Sequence, residues 1–269
     1  MKLASMRIVK MQDYGDLIRF WRKSRRLSQL ELSFAANISS KHVSFLETGR
    51  AKPSREMIIV LSNAMDIPLS ERNVLLSLAG YSEAYSRMQI EQPEMKSVRF
   101  ALTSILEKHE PYPAVVLDWE WNIVMANQTH LKLTQLVAAQ QPNFPQSSNI
   151  LELLFDPNGF RPFVENWEEV AYVMFQRIQR ERMSHSDRHS NLLDRLMEYP
   201  DIPSQWLAHN FDNQLQPMIH LVLSLGDIKL KLFSTLASFG TAVDITMQEL
   251  IIEQYFPVDD STKMFFEKQ

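Results

Sequence analysis

The stretch SQLELSFAANISSKHVSFLETGRAKPS, residues 28–54, predicts two short helices joined by a tight turn. Ser28 followed three residues later by Glu31 forms a capping box, which favours a helix that runs to Ala36. Asn37 comes next, and asparagine is the best residue after glycine for the left-handed backbone of a tight turn. The second helix therefore follows the first after only a few residues.

This second helix has two different faces. Ser39 caps it, we expect it to run over residues 40–48, and Gly49 ends it. At about 100° per residue, Val43 and Leu46 share one side. The other side carries a cation, three hydroxyls and an aromatic ring: Ser40, Lys41, Ser44, Phe45 and Thr48. Such a mixture suits the DNA major groove, although an exposed aromatic ring can also pack on another subunit or domain.

Helix signals continue on both sides of this pair, through the first 80 residues. A segment around residues 13–26 carries apolar residues on one face at helical spacing. After the pair, a fourth helix begins at Ser54, and Ser70 is expected to cap a fifth. Five short helices with brief connections predict a compact all-α domain.

Charge is distributed unevenly along the 269 residues. Residues 1–80 contain 13 Lys and Arg against 7 Asp and Glu, whereas residues 81–269 contain 15 against 25. A basic module of this kind suits a polyanionic partner. We predict a helical domain over residues 1–82, a linker or connecting helix over 83–98, and a second domain over 99–269.

Residues 28–54 resemble the helix-turn-helix of phage-repressor type regulators, the XRE superfamily. More narrowly, VSFLETGRAKPSREM (43–57) followed by IPLSERNVLLSLAGY (67–81) is similar to the MmyB-like transcription regulators. The resemblance implies that Gln29 contacts a phosphate and braces the recognition helix. It also implies that Arg22 and Glu47 form an internal, structural ion pair.

The predicted DNA-binding residues combine this resemblance with the physics of helix starts. The amino-terminal end of a capped helix is a natural seat for phosphate, and basic side chains nearby add non-specific attraction. The full set is Gln29, Ser39, Ser40, Lys41, His42, Ser44, Phe45, Thr48, Arg50 and Lys52. The resemblance implies that Thr48 and Arg50 hold the DNA backbone on the far side of the groove.

The acidic remainder alternates between strand and helix signals. Residues 112–127, YPAVVLDWEWNIVMAN, predict a hairpin that leads into a helix near Asn127. Residues 160–183 predict a long amphipathic helix, and alternating apolar residues predict two strands around a turn at 226–227. A further run over 245–256 is expected to close a five-stranded antiparallel sheet that helices cover on one face.

This order is similar to a PAS-like sensor domain. The stretches LLFDPNGFRPFVENWEEVA (153–171) and ELIIEQYFPVDD (249–260) resemble the ligand-binding half of the MmyB-like regulators. The expected fold class is thus two domains, an all-α helix-turn-helix domain followed by an α+β PAS-like domain. The resemblance implies a cavity that holds an apolar or amphipathic effector, for which a fatty-acyl-like molecule is one candidate, and we expect no other cofactor. Candidate lining residues are Trp167, Ala171, Met174, Phe175, Leu223, Leu230 and Phe233, which are otherwise ordinary core residues.

Enzymatic chemistry has little support in the sequence. The chain has no cysteine and only six glycines, none of them spaced as GxGxxG or GxxxxGK, and it lacks a GxSxG elbow. His185, Asp187 and His189 form HxDxH, which could hold a metal on a helix, but the surrounding polar segment favours a solvated helix start. We therefore expect a protein that is not an enzyme and binds no metal.

Together these features predict a cytoplasmic transcriptional regulator without a membrane partner. It is expected to bind a double-stranded DNA operator as a homodimer and to respond to a small-molecule effector. Two other classes remain open from the residues alone. One is an adaptor whose basic face and Phe45 bind a partner protein, and the other is an enzyme with a DNA-binding head.

Overall fold

The computed structural model describes residues 13–184, 190–207, 218, 220–240, 242 and 244–268. The chain forms two compact units, which are described separately. Unit 1 contains residues up to 88 together with residues 241–248, and unit 2 contains residues 89–240 and 249–269. None of the helices in these described segments is long and apolar enough to cross a membrane.

Unit 1 is built on the five short helices that the sequence predicts. They are α1 (Tyr14–Ser24), α2 (Gln29–Ala35), α3 (Ser40–Glu47), α4 (Arg55–Ala64) and α5 (Leu69–Leu78). Side chains of Asp13, Ser28, Ser39 and Ser54 cap the first four by accepting a backbone N–H. The fifth differs from the prediction, because it begins after Pro68 and no side chain caps it.

The core of unit 1 is formed by apolar residues that recur at helical spacing. Asn37 takes the expected left-handed backbone, with φ of 52°, and lets α2 and α3 pack together. Fully buried members include Leu17, Trp21, Leu32, Val43, Leu46, Ile58, Leu61, Leu75 and Leu76. Burial of each such side chain contributes about 1.5 to 3 kcal/mol, which offsets the entropy of ordering the short helices.

Unit 2 contains a five-stranded antiparallel sheet, as predicted. Its strands are β1 (Ala114–Leu117), β2 (Ile123–Ala126), β3 (Leu221–Leu225), β4 (Ile228–Ala237) and β5 (Ile251–Pro257). They lie in the order β2-β1-β5-β4-β3, so that β5 is the central strand. The predicted hairpin is β1–β2, and Asn127 caps the helix that follows it.

Helices of unit 2 precede the sheet, connect its strands and follow it. They are α6 (Lys96–Lys108), α7 (Gln128–Ala138), α8 (Ile150–Phe155), α9 (Trp167–Ser184), α10 (Ser190–Glu198) and α12 (Asp260–Glu267). The helix predicted over 160–183 starts later, at Trp167. Residues Arg161–Phe163 form a 3-10 turn instead, and Val164 is extended and bridges to Leu223.

A segment from the connection between β4 and β5 belongs to unit 1. It includes α11 (Ile245–Glu249), whose first residues are capped by the Asp244 carboxylate at 2.8 Å from the Thr246 N–H. The Ser86 hydroxyl donates to Asp244 at 2.9 Å, and the Gln248 side chain accepts from the Leu69 N–H at 2.7 Å. The run over 245–256, expected to be one strand, is thus a helix followed by β5.

The residues that directly follow α5 are hydrogen-bonded to that helix. Asn73 of α5 accepts from the backbone N–H groups of Ala84 and Tyr85, each at 3.1 Å, and donates to the Tyr85 carbonyl at 2.7 Å. These bonds tie the first residues after α5 to that helix. The boundary between the units falls after residue 88, within the range 83–98.

Gly15 sets how closely α1 approaches α3. A Cβ atom at this position would lie 2.7 Å from the Leu46 carbonyl oxygen and 3.0 Å from that of Glu47. We predict that Gly15→Ala lowers the free energy of unfolding of unit 1 by about 1 to 3 kcal/mol, because the helices must separate. Urea denaturation followed by circular dichroism measures this change. Gly240→Ala, where the Cβ would meet no atom within 4 Å, is the control, and equal stability of the two variants would contradict the argument.

Candidate functional site

The second helix of the pair, α3, presents the predicted faces. Val43 and Leu46 are buried in the core of unit 1. Ser40, Lys41 and Thr48 are exposed. The remaining predicted positions, His42, Ser44 and Phe45, are partly exposed. The outer side of α3 is therefore a mixed polar and aromatic surface at the outside of unit 1, which we call the α3 surface.

Two cationic side chains lie next to the Phe45 ring at the edge of the α3 surface. The Lys41 ammonium lies 5.5 Å from the centroid of the Phe45 ring, and the Arg50 guanidinium lies 6.0 Å from it. Both distances are within the range of a cation–π attraction. Gly49, with φ of 69°, reverses the backbone at the end of α3, and the Arg50 N–H donates to the Phe45 carbonyl at 2.9 Å. The helix end thereby brings Arg50 beside the ring.

The amino-terminal end of α3 is exposed to solvent. Ser39, which caps it, accepts from the His42 N–H at 3.1 Å and is itself exposed. The first N–H groups of any α-helix have no partner inside the helix, and the positive end of the helix dipole lies there. This end of the α3 surface has the electrostatic character of a phosphate seat.

A buried ion pair holds α3 against α1. The Arg22 Nε donates to Glu47 Oε1 at 2.5 Å, and Arg22 Nη2 donates to Glu47 Oε2 at 2.9 Å. The Gln29 amide also donates to Glu47 Oε2 at 2.9 Å. Burial alone would raise the pKa of the Glu47 carboxyl, but the bonds from Arg22 and Gln29 and the charges of Arg22 and Arg19 keep it below the ordinary value. Glu47 is therefore a charged, internal anchor.

Other basic residues near α3 divide into two groups. Arg25 is used within unit 1, because it donates to the carbonyls of Met65 at 2.7 Å and Asp66 at 2.6 Å and lies over the Trp21 ring. Lys52 is exposed, and its ammonium lies 5.2 Å from the centroid of the Tyr81 ring. Lys52 extends the positive surface beyond α3.

Unit 2 contains a cavity of about 570 Å³ that is partly open to solvent, within the usual size range of small-molecule sites. Its walls are the inner face of β3, β4 and β5 together with α7, α8 and α9. Apolar lining residues include Leu133, Leu151, Leu154, Val170, Val173, Met174, Leu221, Leu223 and Leu232. The polar lining residues are His130, Arg177, Arg180, Ser234, Thr235, Glu253 and Tyr255.

Three of the seven residues predicted to line the cavity do so, namely Met174, Leu223 and Phe233. The other four, Trp167, Ala171, Phe175 and Leu230, lie in the packed core instead. Helix α9 presents the stripe Val170, Val173, Met174 and Arg177 to the cavity, while Ala171 and Phe175 are fully buried on its other side. The Trp167 indole donates to the Leu154 carbonyl at 2.8 Å and is fixed by that bond.

Strands β4 and β5 carry a group of polar residues on the cavity wall, namely Ser234, Glu253 and Tyr255. Ser234 lies opposite Tyr255 in the sheet, and Glu253 precedes Tyr255 by two residues on β5. Burial raises the pKa of Glu253, and the nearby hydroxyls of Ser234 and Tyr255 together with the charge of Arg177 oppose that rise. Burial and the neighbouring Glu253 raise the pKa of Tyr255 well above its usual value. Sequence reasoning missed this group, although the alternation of Ile251, Glu253 and Tyr255 placed a carboxyl on one face of a strand.

Arg177 lies on the opposite wall, on α9. Its guanidinium is 5.1 Å from the centroid of the Trp121 ring, and its Nε donates to Glu181 at 2.9 Å. Arg180, three residues further along α9, is exposed and also lines the cavity. His130 on α7 is buried in the wall, and burial lowers its pKa to about 4.

Metal chemistry finds no support in the part of the chain that the structure describes. Within those ranges, no three His, Cys, Asp or Glu residues lie close enough together to hold a metal ion. The predicted HxDxH residues, His185, Asp187 and His189, lie outside the described residues.

Comparison with known proteins identifies both units. A family model described as the MmyB-like transcription regulator ligand binding domain matches residues 98–268. A helix-turn-helix family model matches residues 18–72. A search of curated proteins finds no match.

One solved structure that matches is that of an RNA-binding light-oxygen-voltage receptor, with 12% identity and a TM-score of 0.26. The match covers 99% of this chain and 62% of that chain, so that this chain spans about three fifths of the receptor's length. A likeness this weak carries no argument about the present protein.

The buried imidazole of His130 predicts a pH dependence of stability. Its folded-state pKa of about 4 lies below that of an exposed histidine, so the unfolded chain takes up the proton first as the pH falls. The stability is complete above about pH 6.5 and is lost as the pH falls toward 4. Between pH 7 and pH 4, wild type should lose about 3 kcal/mol more unfolding free energy than His130→Gln. Urea titrations at several pH values test this, and parallel curves for the two proteins would refute it.

Proposed function

The chain belongs to the family of MmyB-like transcription regulators, and from this premise we propose that it binds operator DNA through unit 1 and a small effector through unit 2. The observation that carries the DNA-binding half is the α3 surface. It combines an exposed cation, hydroxyls and an aromatic ring on a helix whose opposite side is fully buried. A helix of this kind fits the major groove with its side chains at the base edges.

Each predicted contact residue has a distinct role in this proposal. Lys41, Ser44 and Phe45 read base edges, with Ser40 and His42 beside them on the first turn of α3. Ser39 and Gln29 face phosphates at the helix starts, and Gln29 also braces Glu47. Phosphates on the far side are held by Thr48, Arg50 and Lys52. Phosphate contacts orient the protein and base contacts specify the sequence.

We propose that the protein acts as a homodimer on two half-sites. Helix-turn-helix dimers place their recognition helices one helical turn of DNA apart, about 34 Å, or a multiple of it. The operator is then approximately palindromic. A coupling of about 1 to 3 kcal/mol between effector binding and operator binding is enough to switch such a regulator.

The proposed effector is an amphipathic molecule with an apolar chain, similar to a fatty acyl group. The cavity of about 570 Å³ is large enough for a fatty acyl chain, and its walls are largely branched aliphatic side chains. Unit 2 needs no metal or covalent cofactor for this role. The protein is therefore a binding and switching protein rather than an enzyme.

DNA binding can be tested with two substitutions on the α3 surface. Duplexes selected from a random-sequence library by the wild-type protein serve as the operator probe. Lys41→Ala should lose base preference at one position by about 1 to 3 kcal/mol, because a base contact is removed. Arg50→Ala should weaken all sequences alike and reduce the salt slope by about 0.9, because a phosphate contact is removed.

The matched control for both substitutions is Lys108→Ala, which removes a cation at the end of α6 in unit 2. It should leave affinity, base preference and salt slope unchanged. DNA affinity that is equal in all four proteins would contradict the assignment of the α3 surface. Binding that ignores salt and DNA sequence would point to a protein partner instead.

Effector binding can be tested by mass spectrometry of the small molecules released when the purified protein is denatured. A stoichiometric amphipathic compound is expected from the wild type. Leu223→Trp places a bulky indole in the cavity and should reduce its recovery, whereas Leu136→Trp, at an exposed position on α7, should not. Equal recovery from the two variants would place the compound outside the cavity.

A further inference from the structure

Half of the positive charge excess of the first 80 residues lies in residues 1–12, MKLASMRIVKMQ, which we call the basic segment. Its side chains include Lys2, Arg7 and Lys10 and no carboxylate, which gives a charge of +3. Residues 13–80 contain 10 Lys and Arg against 7 Asp and Glu, which is also +3. The same excess is thus spread over the five helices and concentrated in twelve residues of the basic segment.

Several cations of the helices already have partners inside unit 1. Arg19 donates to the Glu47 carbonyl, and Arg22 donates to the Glu47 carboxylate. Arg25 donates to two backbone carbonyls, and Arg72 donates to another at 2.7 Å. A phosphate group would compete with these bonds. Because four of the ten cations are used in this way, the basic segment is a large part of the charge that unit 1 can offer to a polyanion.

The basic segment joins unit 1 beside the end of α3. In the first turn of α1, a Cβ atom on Gly15 would lie only 2.7 Å from a backbone carbonyl oxygen of α3. The Tyr14 hydroxyl donates to the Ala51 carbonyl at 3.2 Å. Ala51 stands between Arg50 and Lys52, the two cations that the proposed function assigns to phosphates. The basic segment is therefore tethered at the edge of the α3 surface where the DNA backbone is expected.

The length of the basic segment suits the DNA that it would follow. Twelve extended residues span at most about 40 Å, and one turn of B-DNA is about 34 Å. Lys10 lies three residues before Asp13, so it stays within about 10 Å of the start of α1. Lys2 can reach nearly the full length. The three cations can thus meet phosphates over about one turn of the duplex.

Two carboxylates at the start of α1 have partners of their own. Asp13 accepts from the Asp16 N–H at 2.9 Å, and the Asp16 carboxylate lies 3.7 Å from the Arg19 guanidinium. Both carboxylates also lie at the positive end of the α1 dipole, which stabilises them there. Their repulsion of nearby phosphates is partly offset, and the charge of the basic segment exceeds it.

From this placement we infer that the basic segment binds operator phosphates next to those held by Arg50 and Lys52. The inference rests on the proposed function, because it adds contacts to the same DNA-binding surface. The competing anionic partner is the rest of the chain, since residues 81–269 contain 15 Lys and Arg against 25 Asp and Glu. DNA is favoured, because it carries one charge per about 1.7 Å of helix axis and releases condensed counterions on binding.

Removal of the three charges from the full-length protein tests this inference. The variant carries Lys2→Gln, Arg7→Gln and Lys10→Gln together, and the probe is the duplex that the wild type selects from a random-sequence library. The slope of log affinity against log salt should become shallower by about 2.7, since each lost phosphate contact contributes about 0.9. Base preference should not change, because phosphate contacts carry no sequence information. A slope change smaller than about 0.9 would overturn the inference.

The matched control removes the same charge from exposed positions on α6 and α7 of unit 2. It carries Lys96→Gln, Lys108→Gln and Lys132→Gln together. It has the same net charge as the first variant, so it separates a contact of the basic segment from a general effect of charge. The control should keep the wild-type salt slope. A slope that falls equally in both variants would refute a contact made by the basic segment.

A label on the basic segment gives a second measurement that does not depend on affinity. Because the chain has no cysteine, Ser5→Cys provides a single attachment point for an iron chelate that cleaves nearby DNA. The labelled, full-length protein should cut the bound duplex at a defined position in or beside each half-site. Absence of such cleavage in a complex that is shown to form would also overturn the inference.

The outcomes separate the inference from the proposal beneath it. If the wild type selects no sequence and binds no duplex, the DNA-binding half of the proposed function fails together with the inference. If the wild type binds with a preference that depends on Lys41, but the triple variant of the basic segment keeps the salt slope, only the inference fails. Tighter DNA binding by that variant would place the basic segment on the acidic part of the chain instead, which also overturns the inference.

Discussion

The DNA-facing half of the molecule depends on one buried ion pair, between Arg22 of α1 and Glu47 at the end of α3. Glu47 is 3% exposed, and a buried carboxylate that lost its partner would cost about 3 to 5 kcal/mol. Gln29, at the start of α2, donates to the same carboxylate at 2.9 Å, so three helices share a single acceptor group. Their relative rotation is restricted by this geometry, and the outward direction of Lys41 and Phe45 follows from it.

Local chemistry made most of unit 1 predictable from sequence. Ser28, Ser39 and Ser54 each accept from the backbone N–H three residues ahead, and Asn37 adopts the left-handed turn that its side chain tolerates. These signals act within four residues, and they need no information about the rest of the fold. The same locality explains why the two faces of α3 could be read directly from a period of 3.6 residues.

The cavity was harder to predict because its walls depend on contacts between distant segments. Helix α9 is apolar on nearly every side over residues 170–175, so periodicity does not say which side meets the sheet. Tertiary packing buries Ala171 and Phe175 in the core. The residues that line the cavity are Val170, Val173 and Met174. The register of β4 and β5 likewise places Ser234 opposite Tyr255 on the cavity wall, and no short stretch of sequence encodes that register.

The path of the chain gives the cavity wall a covalent route to unit 1. Strands β4 and β5 are neighbours in the sheet, yet the residues between them include the 241–248 segment of unit 1. Asp244 and Gln248 hydrogen-bond there to Ser86 and to the Leu69 N–H at the start of α5, and β5 begins only three residues after Gln248. If the chain were divided into two consecutive domains, Asp244 and Gln248 would belong to a different domain from Ser86 and Leu69, to which they are hydrogen-bonded. Strand β5 is therefore continuous in the chain with a segment that is hydrogen-bonded within the helical unit.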